Sequence, residues 1–235
     1  FYVQGLEGRV ADTVLSTVTV SAPGFSDGSA TMTAVQGAID LQGLPGTTTT
    51  LSPSSIVYAR LGLPQAGNGA LQALQNLRAG SPLAPLTVSF TTPASGIGEL
   101  LKAATAPGTS QTALIPLAVN NTPTDTTSGG VVFHPLLSGA TTVSASTPGF
   151  IATTAATRSV TVSQPTISVG AVTVGSGLQV NTSFTLGAAN HGNIDVTLTS
   201  SDPGVLLSPT ATTAGTSQIT VPVLDGVQFV SFYVQ

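Results

Sequence analysis

The tetrapeptide Phe-Tyr-Val-Gln stands at both ends of the chain, as Phe1, Tyr2, Val3, Gln4 and as Phe232, Tyr233, Val234, Gln235. Reading through the join, with Gln235 running into Gly5, gives Leu224-Asp225-Gly226, a strand-like 227–234 and Gly5 to Gly8. An alternating Thr17-Val18-Thr19-Val20-Ser21 and the turn Pro23-Gly24-Phe25 follow. The same series occurs uninterrupted in the middle of the chain. Gly108-Thr109-Ser110-Gln111 leads through Val131-Val132-Phe133 and Gly139 to Thr141-Thr142-Val143-Ser144 and Pro148-Gly149-Phe150. Its counterpart begins at Gly215-Thr216-Ser217-Gln218 and passes Phe232 and Gly8. This order predicts one 231-residue period, the offset from Phe1 to Phe232, cut from a longer repeating protein with a few residues of overlap. Both tetrapeptides suit one strand position with one inward face, and two copies cannot fill a single slot.

Three segments follow from the period. Residues 1–36 read as closing strands of a domain begun in a preceding copy. Within them residues 15–21 alternate hydroxyl and apolar side chains, so Val18 and Val20 face a core while Thr17, Thr19 and Ser21 face water. Residues 30–35 read as the last strand, after a Pro-Gly turn. Residues 37–165 read as a complete domain with strands near 39–41, 56–61, 86–90, 112–119, 130–133, 141–145 and 159–162. Seven short strands separated by Gly, Pro and Asn turns predict a sandwich of two antiparallel sheets. Residues 166–235 open a second domain with strands near 167–169, 178–186, 194–200, 218–223 and 227–234. Its missing strands are those of residues 1–36 in the next copy. Residues 70–79 carry Leu71, Leu74 and Leu77 at three-residue spacing before Gly80, which predicts a short helix. Residues 99–104 read as extended or turn.

Composition narrows the function. Charged residues are 6% of the chain, five basic and nine acidic, where about 25% is ordinary. Such a surface has little self-repulsion, as suits packing against other copies. A net charge of −4 without a basic patch excludes a nucleic-acid partner. No run of 18 apolar residues is present, so no membrane-spanning segment is expected. No signal peptide is evident, as expected of a window from the interior of a longer chain. With no cysteine, disulfide and thiol chemistry are excluded.

Candidate sites each have a plainer reading. Gly24-Phe25-Ser26-Asp27-Gly28 fits the G-x-S-x-G pattern, but a nucleophile elbow needs a helix after its serine and residues 29–35 are rich in β-branched types. Ser26 is read as part of a turn, and the protein as no enzyme. His134 and His191 fall in different domains without neighbouring ligands, so neither makes a zinc site. His134 reads as packed at a strand end and His191 as a hairpin turn. The acids are scattered, with no calcium-loop motif, which leaves room only for a weak calcium site at a domain junction. Lys102, the single lysine, could serve a Lys–Asn cross-link in at most one domain and reads as a solvated turn residue. Asn120-Asn121-Thr122 and Asn181-Thr182-Ser183 match the glycosylation pattern, which is common by chance in a Thr/Ser-rich chain. Eight Phe, three Tyr and no Trp, with Phe133, Phe184, Phe229 and Phe232 in strand contexts, offer little for a sugar-binding platform. No metal or cofactor is expected.

The alternation, the Pro-Gly-Phe turn and the repeated order resemble the bacterial immunoglobulin-like repeats of large surface proteins, adhesins and extracellular fibres. The resemblance implies an all-β fold of tandem immunoglobulin-like antiparallel β-sandwiches at the bacterial cell surface or outside it. It implies a structural repeat of an extracellular fibre, sheath or long adhesin, with neighbouring copies of the same repeat as partners in a homopolymer or filament. Head-to-tail assembly through shared strands places Phe1, Tyr2, Val3, Gln4, Phe232, Tyr233, Val234 and Gln235 at the contact. The alternative is a module that binds sugar or a cell-surface protein through loops at the sandwich ends. An accessory domain of a secreted enzyme is the weaker third reading.

Overall fold

The computed structural model describes residues 3–6, 13–93 and 96–235. Among them the fold is all-β, with no α-helix and only two short 3-10 turns, Ala66–Asn68 and Thr154–Ala156. Backbone contacts divide the chain into two compact units, one of residues 1–47, 54–134 and 139–161, the other of 48–53, 135–138 and 162–235.

Through residue 163 the strands are β1 (Val14–Val20), β2 (Gly28–Ala34), β3 (Ala38–Gln42), β4 (Thr47–Thr49), β5 (Ser55–Pro64), β6 (Leu71–Leu74) and β7 (Leu86–Thr91). They continue as β8 (Gly98–Lys102), β9 (Ser110–Ile115), β10 (Val131–Pro135), β11 (Gly139–Ser146), β12 (Ile151–Ala152) and β13 (Thr157–Ser163). One sheet runs β12-β3-β5-β10-β8, with β6 added on β5, and another runs β4-β13-β11-β7-β9. Alternation decides which side chains go inside. On β7, Leu86, Val88 and Phe90 are buried while Thr87 and Thr91 are exposed. On β11, Thr141, Val143 and Ala145 are buried in the same way. Each fully buried Val or Phe stabilises by about 1.5–3 kcal/mol relative to exposure. This layered arrangement is consistent with a β-sandwich.

Residues 70–79 are not a helix. Leu71–Leu74 is strand β6, paired with β5 through Gly62↔Leu74 and Leu63↔Ala73. Gly62 permits it: a Cβ there would run into the Ala73 carbonyl oxygen. The leucine spacing has another cause. Leu77 is buried beyond the strand, and its N–H donates to the Val119 carbonyl at 2.9 Å. The strand expected over 112–119 stops at Ile115, where Pro116 brings no N–H to the ladder. Residues 98–102 are extended, as read from the sequence.

The second unit has β14 (Ile167–Val169), β15 (Val180–Leu186), β16 (Ile194–Thr199), β17 (Leu207–Ser208), β18 (Gln218–Val223) and β19 (Phe229–Val234). They form a sheet β14-β15-β19-β17 and a pair β16-β18. Both share one core, in which Phe184, Leu186, Leu207, Phe232 and Val234 meet Val196 and Val223.

The central strands of the two units correspond. The order β14-β15-β19-β17 repeats β3-β5-β10-β8, and β16-β18 repeats β7-β9. The bridge Leu100↔Gly108 has its counterpart in Leu207↔Thr216, which makes Thr216, not Gly215, the equivalent of Gly108. The two Gly-Thr-Ser-Gln motifs are therefore displaced by one residue in strand register. The displacement turns their glutamines to opposite faces. Gln111 points inward and donates to the Ala106 carbonyl at 2.7 Å, whereas Gln218 points outward to the Thr199 hydroxyl at 3.0 Å.

Candidate assembly surfaces

The hairpin β1–β2 is paired Val14↔Ala34 through Val20↔Gly28 and, among the described residues, joins no further strand. Directly opposed residues share a face. One face carries Val14, Ser16, Val18, Val20, Ala30, Met32 and Ala34; the other carries Leu15, Thr17, Thr19, Ser29, Thr31 and Thr33. Val20, on the apolar face, is 62% exposed. The closing turn has Gly24 at φ +82°, a left-handed value that favours glycine, and the Phe25 N–H donates to the Ala22 carbonyl at 3.1 Å.

The hairpin has a counterpart in β11–β13. Pro148-Gly149-Phe150 turns there with Gly149 at φ +83°. Aligning the turns sets Val143 against Val18 and Ala145 against Val20, while the return strands set Val160 against Met32 and Val162 against Ala34. The first of each pair is buried, at 0–2% exposure. In the sheet β4-β13-β11-β7-β9, β11 covers one edge of β7. In the second unit β16 has β18 on one side and, among the described residues, nothing on the other.

The repeated tetrapeptide meets two environments. Phe232 and Val234 of β19 are buried, and Phe232 lies 6.3 Å ring to ring from Phe184. Gln235 exchanges backbone bonds with Leu206 at 2.8 Å each way, accepts from the Gly215 N–H at 2.8 Å and donates to the Thr213 carbonyl at 3.0 Å. Val3 is 59% exposed and Gln4 is exposed, both outside any strand. Phe1 and Tyr2 lie outside the described residues.

The remaining sequence candidates are held by local bonds. Ser26 is exposed and soon followed by β2, with no helix behind it. His134 sits half-buried on β10 with its Nδ1 3.0 Å from the Ser54 hydroxyl. His191 lies in a loop knitted to 224–227: Asp225 Oδ1 accepts the N–H groups of His191 and Gly192 at 3.1 and 2.9 Å. Its ring contacts the Gly192 and Val227 carbonyls. Among the described residues no three His, Cys, Asp or Glu side chains come together. Lys102 donates to the Thr112 carbonyl at 2.7 Å. Thr122 of the first glycosylation pattern is fully buried, accepting the Ala59 N–H at 3.0 Å. A groove of ≈ 780 Å³ in the first unit, lined in part by Val3, Leu6, Val35 and Leu77, has Arg78 as the only charged side chain among its described lining residues.

Two acids were not singled out by sequence. Asp40, 1% exposed, faces Arg60 across β3 and β5 and accepts from it at 2.6 and 3.1 Å. That bond raises the guanidinium pKa above its ordinary value, with burial opposing. Asp125 accepts from the Thr127 hydroxyl at 2.6 Å and the Ser128 N–H at 2.7 Å. These bonds lower its pKa below the usual carboxylate value. Both acids are structural: one locks a cross-strand pair, the other a turn.

No family model matches the chain, and no curated protein matches it significantly. No helix among the described residues is long and apolar enough to cross a membrane.

Proposed function

We propose that the chain is a structural repeat of an extracellular bacterial fibre, sheath or long adhesin, built from tandem immunoglobulin-like modules that associate head to tail. The supporting observation is complementary incompleteness. The described residues of the second unit repeat the central strand order of the first but hold no counterpart of β11 or β13, and β1–β2 has the alternation and turn of those two strands with its apolar face only partly covered, Val20 being 62% exposed. An apolar hairpin face without a core is unfavourable in water, and two-stranded hairpins are marginal alone. Association removes both deficits at once, and a surface with 6% charged residues offers little repulsion against it.

Sedimentation of the 235-residue chain over a range of concentrations, with electron microscopy of the concentrated sample, tests this. The expected result is concentration-dependent linear oligomers that grow into filaments. A monomer at every concentration, with a folded second unit, overturns the reading.

A further inference from the structure

We infer that β1 of a second copy docks antiparallel along the free edge of β16, in the register Thr19↔Thr199, Val20↔Leu198 and Ser21↔Thr197. The inference rests on the assembly reading above and specifies its contact.

The first unit supplies the template. There β11 lies on β7 in the register Ser144↔Thr91, Ala145↔Phe90 and Ser146↔Ser89. Two independent alignments carry it across. The common pairing pattern of β7 with β9 and of β16 with β18 equates Phe90 with Leu198 and Thr91 with Thr199. The burial patterns agree: Val88 and Val196 are buried, while Thr91 and Thr199 are exposed. The two Pro-Gly-Phe turns equate Ser144 with Thr19 and Ala145 with Val20.

Side-chain chemistry fits the register. It sets Val20, 62% exposed on the isolated hairpin, against half-buried Leu198 at the rim of the second core. In the template a small Ala145 faces a large Phe90; here two mid-sized side chains share the corresponding space. Such volume-conserving exchange is what close-packed interiors tolerate. Val18, Met32 and Ala34 then reach the positions of Val143, Val160 and Val162. A slip of one residue would instead drive Thr17 and Thr19 into the core. Neither strand of the hairpin carries a charge, and β16 carries only Asp195. Natural free edges are commonly guarded by charge, proline or a bulge; β1 carries no charge or proline, and on β16 the one charge, Asp195, lies outside the three paired positions.

The absence of native cysteine allows a direct test. The 235-residue T19C and T199C chains are mixed, assembled and oxidised, and the disulfides are mapped. Directly opposed residues hold their Cβ atoms about 4.5–5.5 Å apart, near disulfide reach, while diagonal neighbours lie about 7–8 Å apart. The expected result is an interchain disulfide joining position 19 of one chain to position 199 of the other, with little product when T19C is mixed with T197C. Predominant coupling of T19C to T197C overturns the register. Assembled chains that cross-link in neither mixture overturn the docking edge while leaving assembly standing. A T19C/T199C double variant that closes within one chain at high dilution overturns the second copy as occupant. Chains that do not assemble at all fail the underlying reading instead, a result that sedimentation separates from the others.

Discussion

Asp40 and Arg60 stand directly opposite each other on β3 and β5, joined by a two-pronged bond of 2.6 and 3.1 Å. The carboxylate is nearly inaccessible, at 2% side-chain exposure, while the guanidinium side chain remains 31% exposed. Gln42 adds a third donor to the carboxylate at 3.0 Å. In the second unit the corresponding cross-strand pair is Ser168↔Thr185. The same strand position is thus filled by an ion pair in one unit and by two hydroxyls in the other.

Removing one partner should therefore cost more than replacing both. Arg60→Ala leaves a buried carboxylate short of its main donor, and about 2 kcal/mol of stability should be lost, below the roughly 3–5 kcal/mol of a fully buried pair because Arg60 is partly in water. The double variant D40S/R60T, which copies the second unit, should lose less than either D40S or R60T alone. Urea unfolding of the three variants gives the coupling directly.

The turn at Asp125 should titrate. Its folded pKa is lowered by the Thr127 and Ser128 bonds, so the carboxylate is favoured in the folded state. The stabilisation it gives is complete above the unfolded carboxylate value and is lost as pH falls through the lowered folded value. A carboxyl-carbon NMR titration should place Asp125 below the ordinary carboxylate value. The Ser128 amide shift should follow the same midpoint and lose its pH dependence in Asp125→Asn.

Gly62 should resist enlargement. In Gly62→Val the new side chain meets the Ala73 carbonyl and the Leu74 backbone, so β6 must leave β5. Amide exchange at residues 71–77 should accelerate while β7 and β11 stay protected. Unchanged exchange in that segment would show that β6 can shift without unpairing.

The two faces of the hairpin should behave differently in assembly. Leu15 and Val20 are similarly exposed, at 67% and 62%, but only Val20 lies on the apolar face. Val20→Asp should abolish oligomer growth by sedimentation, and Leu15→Asp should leave it nearly intact. Equal effects from the two would show that exposed apolar area, rather than one face, drives association.

Salt should matter little. With so few charges, the proposed contact between copies should rest on apolar burial and hydrogen bonds. Raising salt from about 10 mM to about 1 M shortens the screening length from roughly 30 Å to 3 Å. Light scattering from the assemblies should persist through that change; prompt dissolution would mean that ion pairs hold them.

Much of the strand layout could be read from alternation. Thr/Val periodicity located β1, β11 and β13 because one face of each meets water or a core consistently. Short pieces were missed where two or three residues carry no period, as at β4, β12 and β17. Residues 70–79 misled because Leu71, Leu74 and Leu77 share helical spacing, and the absent side chain that admits β6 sits at Gly62, outside that window. The Gly-Thr-Ser-Gln match concealed its one-residue displacement because register belongs to the partner strand, and only the bridge from Leu207 to Thr216 reveals it. The ion pair was invisible for a similar reason: Asp40 and Arg60 are scattered in sequence and meet only once β3 and β5 pair.

The pairing of Ala145 with Phe90 has a further bearing on the proposed assembly: it would limit the exchange of strands between modules while they fold. Similar modules joined in series are prone to swapping, since each strand finds near-copies of its own partner close by. Here the copies are unequal. A strand bearing valine where β11 has Ala145 would crowd Phe90, which is fully buried, while β11 laid on β16 would leave a gap beside Leu198. Each misassembly is penalised by packing alone, without a charge to enforce the choice. Under the proposed docking, in a chain this poor in charge, the sizes of four side chains would sort correct neighbours from incorrect ones.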